Sequence, residues 1–273
     1  MGEPKPAKRR RGRPRAFHDQ TEARTIQSLD RALIILETLA RGDGVSLSEL
    51  AERAGQSATT TYRVLSTFER HAMTEFEENG QLWYMGPGAF RIGSVFANRT
   101  DTLRIARPIM QNLMRQTGET ANLGIERDGQ VMFISQVETP ETIRAFFAPG
   151  TLSLMHASGI GKALLAQYPH ERVREIVARH GLPRHNDRTI TDEDALLEDL
   201  DRIRRRGYAI DDEESTAGMR CVAATIRNIH DEAVAGLSVS GPSFRLTRAR
   251  IEAVGQTVRD MAAAATRALG GPG

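Results

Sequence analysis

Ser46-Leu47-Ser48-Glu49-Leu50-Ala51-Glu52-Arg53-Ala54-Gly55-Gln56-Ser57-Ala58-Thr59-Thr60-Thr61-Tyr62-Arg63-Val64-Leu65 reads as two short helices joined by a tight turn. Ser46 with Glu49 is a capping-box pattern, in which the hydroxyl accepts from the third amide and the carboxylate reaches back. Leu47, Leu50 and Ala51 give the first helix its buried side, and Gly55 stops it. Ser57 caps the second, which continues through Tyr62, Val64, Leu65 and Phe68 to about Arg70. Such a pair, with a short glycine-containing turn, is a helix-turn-helix. The second helix opens on Ala58, Thr59, Thr60, Thr61, Tyr62 and Arg63, and threonines are poor helix formers. They make sense where hydroxyls and methyls meet base edges and phosphates in a major groove. The alternative is a surface helix that happens to be threonine-rich.

Upstream, Leu29, Leu33, Leu36 and Ala40 recur at helical spacing, with Ala32, Ile35 and Leu39 widening the apolar face. This helix ends near Arg41, where Gly42 and Gly44 bracket Asp43. Downstream, Met73 to Phe76 and Leu82 to Met85 flank Asn79-Gly80, the signal of a hairpin with a two-residue turn. Three helices and a hairpin make residues 25–86 a winged helix-turn-helix domain, with Ser46, Ser57, Thr59, Thr60, Tyr62 and Arg63 as candidate DNA contacts. Ahead of it, residues 1–24 form a basic arm expected to be disordered when free. Up to residue 25 there are eight basic and three acidic residues, +5, whereas the whole chain carries +2, so the body is −3. A basic arm on a slightly acidic body suits a polyanion; the alternative is a solubilising tail. Its Arg11-Gly12-Arg13-Pro14-Arg15 contains the Arg-Gly-Arg-Pro core of an AT-hook. In such a segment, arginines are drawn to the negative potential of a narrow minor groove.

Residues 25–86 resemble the N-terminal domain of the isocitrate-lyase-regulator (IclR) family of bacterial transcription factors. Ser28-Leu29-Asp30-Arg31-Ala32-Leu33-Ile34-Ile35-Leu36-Glu37 is similar to the family's first helix, and Gly55 to Leu65 to its recognition helix. Ser57-Ala58 stands where the family commonly has Pro-Lys, which implies one phosphate or base contact fewer. His71 stands where a helix-ending glycine is usual, and histidine tolerates positive φ better than most residues. The resemblance extends over nearly all of the chain beyond the arm. It implies a linker helix over 87–102 that joins the domains and pairs subunits into a homodimer or dimer of dimers. It also implies a GAF-like effector domain over 103–273.

The second half reads as α+β in its own right. A helix is expected from Leu103 to Arg115, followed by strands at Ala121–Glu126, Gln130–Val137 and Ile143–Phe147. Helices follow around Lys162–Gln167, Glu171–Arg179 and Glu193–Arg205, then strands Val222–Ile229 and Ala233–Ser240, then a helix from Leu246 to about Leu269. Ser238 and Ser240, two apart on a strand, put both hydroxyls on one face. Gly159 and Ile160 precede a helix, where free amides favour a carboxylate. Cys221 opens the neighbouring strand with a weak S–H donor. Together they suit a compact anionic metabolite. The alternative is that the serines solvate edges and the glycines serve packing.

The family comparison is more specific. Tyr208-Ala209-Ile210-Asp211-Asp212-Glu213-Glu214, Gly218-Met219-Arg220-Cys221-Val222-Ala223-Ala224 and Leu237-Ser238-Val239-Ser240-Gly241-Pro242 are similar to the effector-domain signature. With Ala157-Ser158-Gly159-Ile160-Gly161-Lys162 they resemble the branch that senses glyoxylate, to which the allantoin-utilisation repressor belongs. The ligand set implied is Gly159, Ile160, Asp211, Met219, Cys221, Ser238 and Ser240. The resemblance thus implies a regulator, most simply a repressor, that meets a pseudo-palindromic double-stranded operator and glyoxylate.

Composition removes several other classes. A single cysteine in 273 residues excludes an internal disulfide framework and multi-cysteine metal sites. No apolar run approaches the roughly 20 residues of a membrane span, and no hydrophobic stretch follows the basic N-terminus as in a secretory signal. A cytoplasmic protein is expected. His156 to Ala163 fails the phosphate-loop pattern at both ends, and Gly236 to Ser240 fails the nucleophile-elbow pattern at its fifth position. His170, His180 and His185 lack tight ligand spacing, so neither metal nor cofactor is expected. Two rival readings are an enzyme with Cys221 as nucleophile and an architectural minor-groove protein that relies on the arm.

Overall fold

The computed structural model describes residues 26–99 and 101–272. Arg11, Arg13, Arg15 and the rest of the arm lie outside the described residues. The chain divides into two compact units, the first ending at Ser94 and the second opening at Val95.

In the first unit, α1 (Gln27–Leu39), α2 (Leu47–Arg53) and α3 (Ala58–Glu69) pack with a three-stranded antiparallel sheet of order β1-β3-β2. Its strands are β1 (Val45–Ser46), β2 (Thr74–Glu77) and β3 (Leu82–Met85). The core is Ile35, Leu39, Val45, Leu50, Leu65 and Trp83. α1 therefore buries Ile35 and Leu39, while Leu29 and Leu33 of the expected apolar face stand exposed. The wing also differs from expectation. Glu77 pairs with Leu82, so residues 78–81 form a four-residue connection, with Gln81 rather than the Asn-Gly pair at positive φ. After α3 the left-handed residue is Ala72, at φ 56°, and not His71. The two-residue β1, too short to read from alternation, adds an edge by pairing Val45 with Trp83.

α4 (Pro87–Arg99) leads from this unit into the next, which holds α5 (Asp101–Thr117) and a six-stranded antiparallel sheet. The strands are β4 (Thr120–Arg127), β5 (Gln130–Val137), β6 (Leu152–Leu154), β7 (Ala209–Asp212), β8 (Met219–Arg227) and β9 (Ala233–Pro242), in spatial order β6-β5-β4-β9-β8-β7. Its helices are α6 (Gly159–Leu165), α7 (His170–His180), α8 (Glu193–Arg206) and α9 (Ile251–Ala268). Strand alternation sorts the two faces. Ala121 and Leu123, Leu237 and Val239, and Val222, Ala224 and Ile226 join α5 and α9 in one core. Ala209, Ala223, Val131 and Phe133 join α6, α7 and α8 in the other. The architecture is α+β, as the sequence implied.

The expected strand Ile143–Phe147 does not form. The edge of β5 is taken instead by the segment after it: Met132 pairs with Leu152, Phe133 N–H donates to Thr151 O, and Gly150 N–H to Phe133 O. No ladder remains for 143–147, and Phe147 stacks on Phe133 at 4.5 Å. β8 begins three residues before the expected Val222, and α6 three before Lys162. β7 is too short and acidic to read as a strand from the sequence. Leu246 is buried in the core ahead of α9, rather than opening it.

Candidate functional site

α3 is built to present its first turn. Ser57 caps it, its hydroxyl accepting from Thr60 N–H at 3.1 Å and donating to Thr60 Oγ1 at 2.9 Å. Ser57, Thr59, Tyr62 and Arg63 are exposed and Thr60 half-buried. Thr61 is fully buried, so the third threonine faces the core and not solvent. Tyr62 rests edge-on against Trp83 at 6.4 Å, tying the exposed face of α3 to the wing. Ser46 caps α2 by accepting from Glu49 N–H at 3.4 Å, but Glu49 does not complete the expected capping box, because its carboxylate turns to Arg53 at 2.5 Å.

In the second unit, Gly159, Ile160, Asp211, Met219, Cys221, Ser238 and Ser240 all line one cavity of about 230 Å³. Strand register accounts for most of this. Asp211 lies opposite Cys221, Cys221 opposite Ser240, and Ala223 opposite Ser238, so their side chains share the sheet face beneath α6. Gly159 closes the cavity from above, and a Cβ there would sit 2.6 Å from Cys221 Sγ. The Ile160 side chain packs on the sheet at Gly236 and Gly124, where only glycine leaves it room. Sequence reading missed other parts of the wall, among them Arg144 to Phe147, the segment that does not join the sheet.

The electrostatics are unusual for a carboxylate site. Burial first, then the charge of Glu214, push the Asp211 carboxyl up to about 7. Its Oδ1 accepts from the amides of Glu214 at 2.7 Å and Ser215 at 3.4 Å. Burial, then the charge of Asp211, push the Cys221 thiol up to about 11, against a weaker opposing pull from the Ser240 and Ser238 hydroxyls beside it. A thiol so raised is protonated at neutral pH and is a poor nucleophile, and no histidine lines the cavity. Ser240 Oγ accepts from Asn122 Nδ2 at 3.2 Å. Ser238 Oγ is fully buried and has the thiol as a neighbour, but no partner in hydrogen-bonding geometry.

Behind α6, Lys162 is buried and donates to Asp199 Oδ2 at 2.9 Å and to both Glu214 oxygens at 2.6 and 2.8 Å. The signal is present in the sequence: a lysine inside the apolar run Ile160–Ala166 needs buried partners. Among the described residues no group of three or more histidine, cysteine, aspartate or glutamate side chains is placed to hold a metal ion. Among them, too, no helix is long and apolar enough to cross a membrane.

A winged helix-turn-helix joined on one chain to an α+β unit with a small polar cavity is the layout of a DNA-binding transcriptional regulator. Family profiles agree: one described as "IclR helix-turn-helix domain" matches residues 28–78, and "Bacterial transcriptional regulator IclR C-terminal" matches 95–267. The chain belongs to the IclR family of bacterial transcriptional regulators. It is 48% identical over 257 residues to the HTH-type transcriptional regulator BhcR of Paracoccus denitrificans, covering 93% of this chain and 92% of that one. It is 39% identical over 276 residues to the transcriptional repressor IclR of Escherichia coli, covering 99% of each. The crystal structure of the Thermotoga maritima IclR matches with a TM-score of 0.77 at 28% identity, covering 90% of this chain and 100% of that one. These proteins are regulators, and this chain is a DNA-binding regulator rather than an enzyme.

Proposed function

We propose that this chain is a repressor whose operator affinity is set by glyoxylate, or a near relative among small 2-oxo acids, bound in the cavity under α6. The observation that carries this reading is the Ser238 hydroxyl, buried in the cavity wall with no partner in hydrogen-bonding geometry. A buried hydroxyl left unsatisfied costs roughly 1–3 kcal/mol, and an acceptor in the cavity removes that cost. The size fits too: about 230 Å³ falls below the ~300–1,000 Å³ of pockets for drug-sized ligands. Asp211, with a pKa near 7, is largely neutral in slightly acid solution. It then donates a hydrogen bond to an anionic ligand instead of repelling it.

Gly159 and Ile160 supply the first amides of α6, Ser238, Ser240 and Cys221 supply side-chain donors, and Met219 closes the apolar side. On the DNA side, Ser57, Thr59, Thr60, Tyr62 and Arg63 meet the major groove, with Ser46 at the start of α2 on the phosphates. Arg11, Arg13 and Arg15 of the arm enter an adjacent minor groove. A homodimer, or a dimer of dimers, matches a pseudo-palindromic operator. The name of the E. coli relative supports repression. Calorimetric titration with glyoxylate and pyruvate tests the ligand: saturable one-site binding of glyoxylate is expected, and tighter binding of pyruvate would overturn the choice.

A further inference from the structure

Asn122 does not line the cavity, yet it is fully buried and its Nδ2 donates to Ser240 Oγ at 3.2 Å. Its other amide atom is also committed. Asn122 Oδ1 accepts from Gln136 Nε2 at 2.9 Å, the two residues facing each other across β4 and β5. The side chains thus form a directed chain, Gln136 to Asn122 to Ser240, running along the sheet into the cavity wall.

Direction matters because a hydroxyl has one proton and two acceptor sites. A serine that accepts from Asn122 keeps its proton for another acceptor. A serine that donates to Asn122 would turn lone pairs toward the cavity and repel a carboxylate. What fixes the Asn122 amide is Gln136, because its NH2 selects the carbonyl end of Asn122 and leaves the NH2 end for Ser240. We infer that Gln136 and Asn122 are positioning residues that set the direction of the Ser240 hydroxyl, making this wall of the cavity a donor and so selective for an anion. This rests on the proposed carboxylate ligand and adds the residues that orient its partner.

Gln136→Glu is the sharpest probe. Gln136 is half-buried and outside the cavity, and the exchange is isosteric. The ionised carboxylate it introduces cannot donate, so it takes the Asn122 NH2 instead. The amide turns over, its carbonyl faces Ser240, and the serine proton is drawn from the cavity. Glyoxylate binding, measured by calorimetry on the full chain, is expected to weaken about tenfold, the equivalent of one hydrogen bond to a charged group. Gln136→Leu releases the amide without reversing it, and a smaller loss, about threefold, is expected. The same two variants are then made in a Ser240→Ala background and titrated at higher ligand concentration. There both losses are expected to vanish, because no hydroxyl remains to be directed. A loss that persists without Ser240 would show simple charge repulsion or disturbed packing and would overturn the inference. Parental affinity in Gln136→Glu would overturn it too. A parent protein that binds neither glyoxylate nor pyruvate would instead overturn the functional reading, and the inference with it.

Discussion

Beside the unsatisfied Ser238, Ser240 is aimed at the cavity by strand register and held there by the hydrogen bond it accepts from Asn122. A hydrogen bond to a charged group contributes about 1.5–3 kcal/mol, so Ser240→Ala is expected to weaken glyoxylate by roughly ten- to a hundredfold. DNA affinity without ligand is expected to stay at the parental value, because coupling acts only through ligand-dependent states. Cys221→Ser keeps a donor of similar size and is expected to bind nearly as the parent does; titration of both variants checks the contrast. Asp211 gives a pH signature. Its folded pKa, about 7, lies above the ordinary 3.8, so the folded protein holds a proton that the unfolded chain has released. The stability tied to that proton is present at low pH and is lost as pH rises from about 4 to about 7. Asp211→Asn is expected to flatten that fall and to melt higher than the parent above pH 7. Equal slopes in melting series of the two proteins would place the titration on Glu214, whose carboxyl burial also raises.

Among the elements, α3 and α6 carry the two proposed sites, and these differ in how far the sequence reveals them. Ser57 as cap, the threonine run and the Tyr62-Arg63 pair were legible because a helix start follows from local chemistry. That Thr61 points inward was not, since helical phase within a run of like residues depends on what α3 packs against. For α6, the serine pair of β9 and the glycines above it were legible from period two and from small residues. The wall 144–147 was not, because the apolar, aromatic run Ile143–Phe147 suits a strand and only competition for the edge of β5 decides against it. Arg63 is exposed at the face of α3. Arg63→Ala is expected to weaken operator binding and to lower its salt dependence by about one released counterion; an unchanged salt slope in gel-shift titrations would remove Arg63 from the phosphates. Lys162 ties α6 to α8 through Asp199 and to the loop after β7 through Glu214. Removing one member of a buried charge cluster costs about 3–5 kcal/mol. Lys162→Met is therefore expected to lower the melting temperature sharply, and a variant as stable as the parent would show that solvent compensates the two carboxylates.

On the scale of the whole molecule, an IclR-family chain reads DNA with one unit and senses a metabolite with the other. The ligand alters DNA binding only by its difference in affinity for the states that bind and release the operator. Charge is unevenly distributed along this one sequence: +5 over its first 25 residues, and a body whose cavity holds one raised carboxyl beside neutral hydroxyl and thiol groups. The measurement that tests this most directly is a gel-shift titration of the full chain on DNA from upstream of its own gene, with and without millimolar glyoxylate, repeated with Ser240→Ala. Glyoxylate is expected to shift the half-saturation point for the parent and to leave the variant where it stands without ligand. An operator affinity that glyoxylate leaves unchanged in the parent, or shifts equally in the variant, would contradict it.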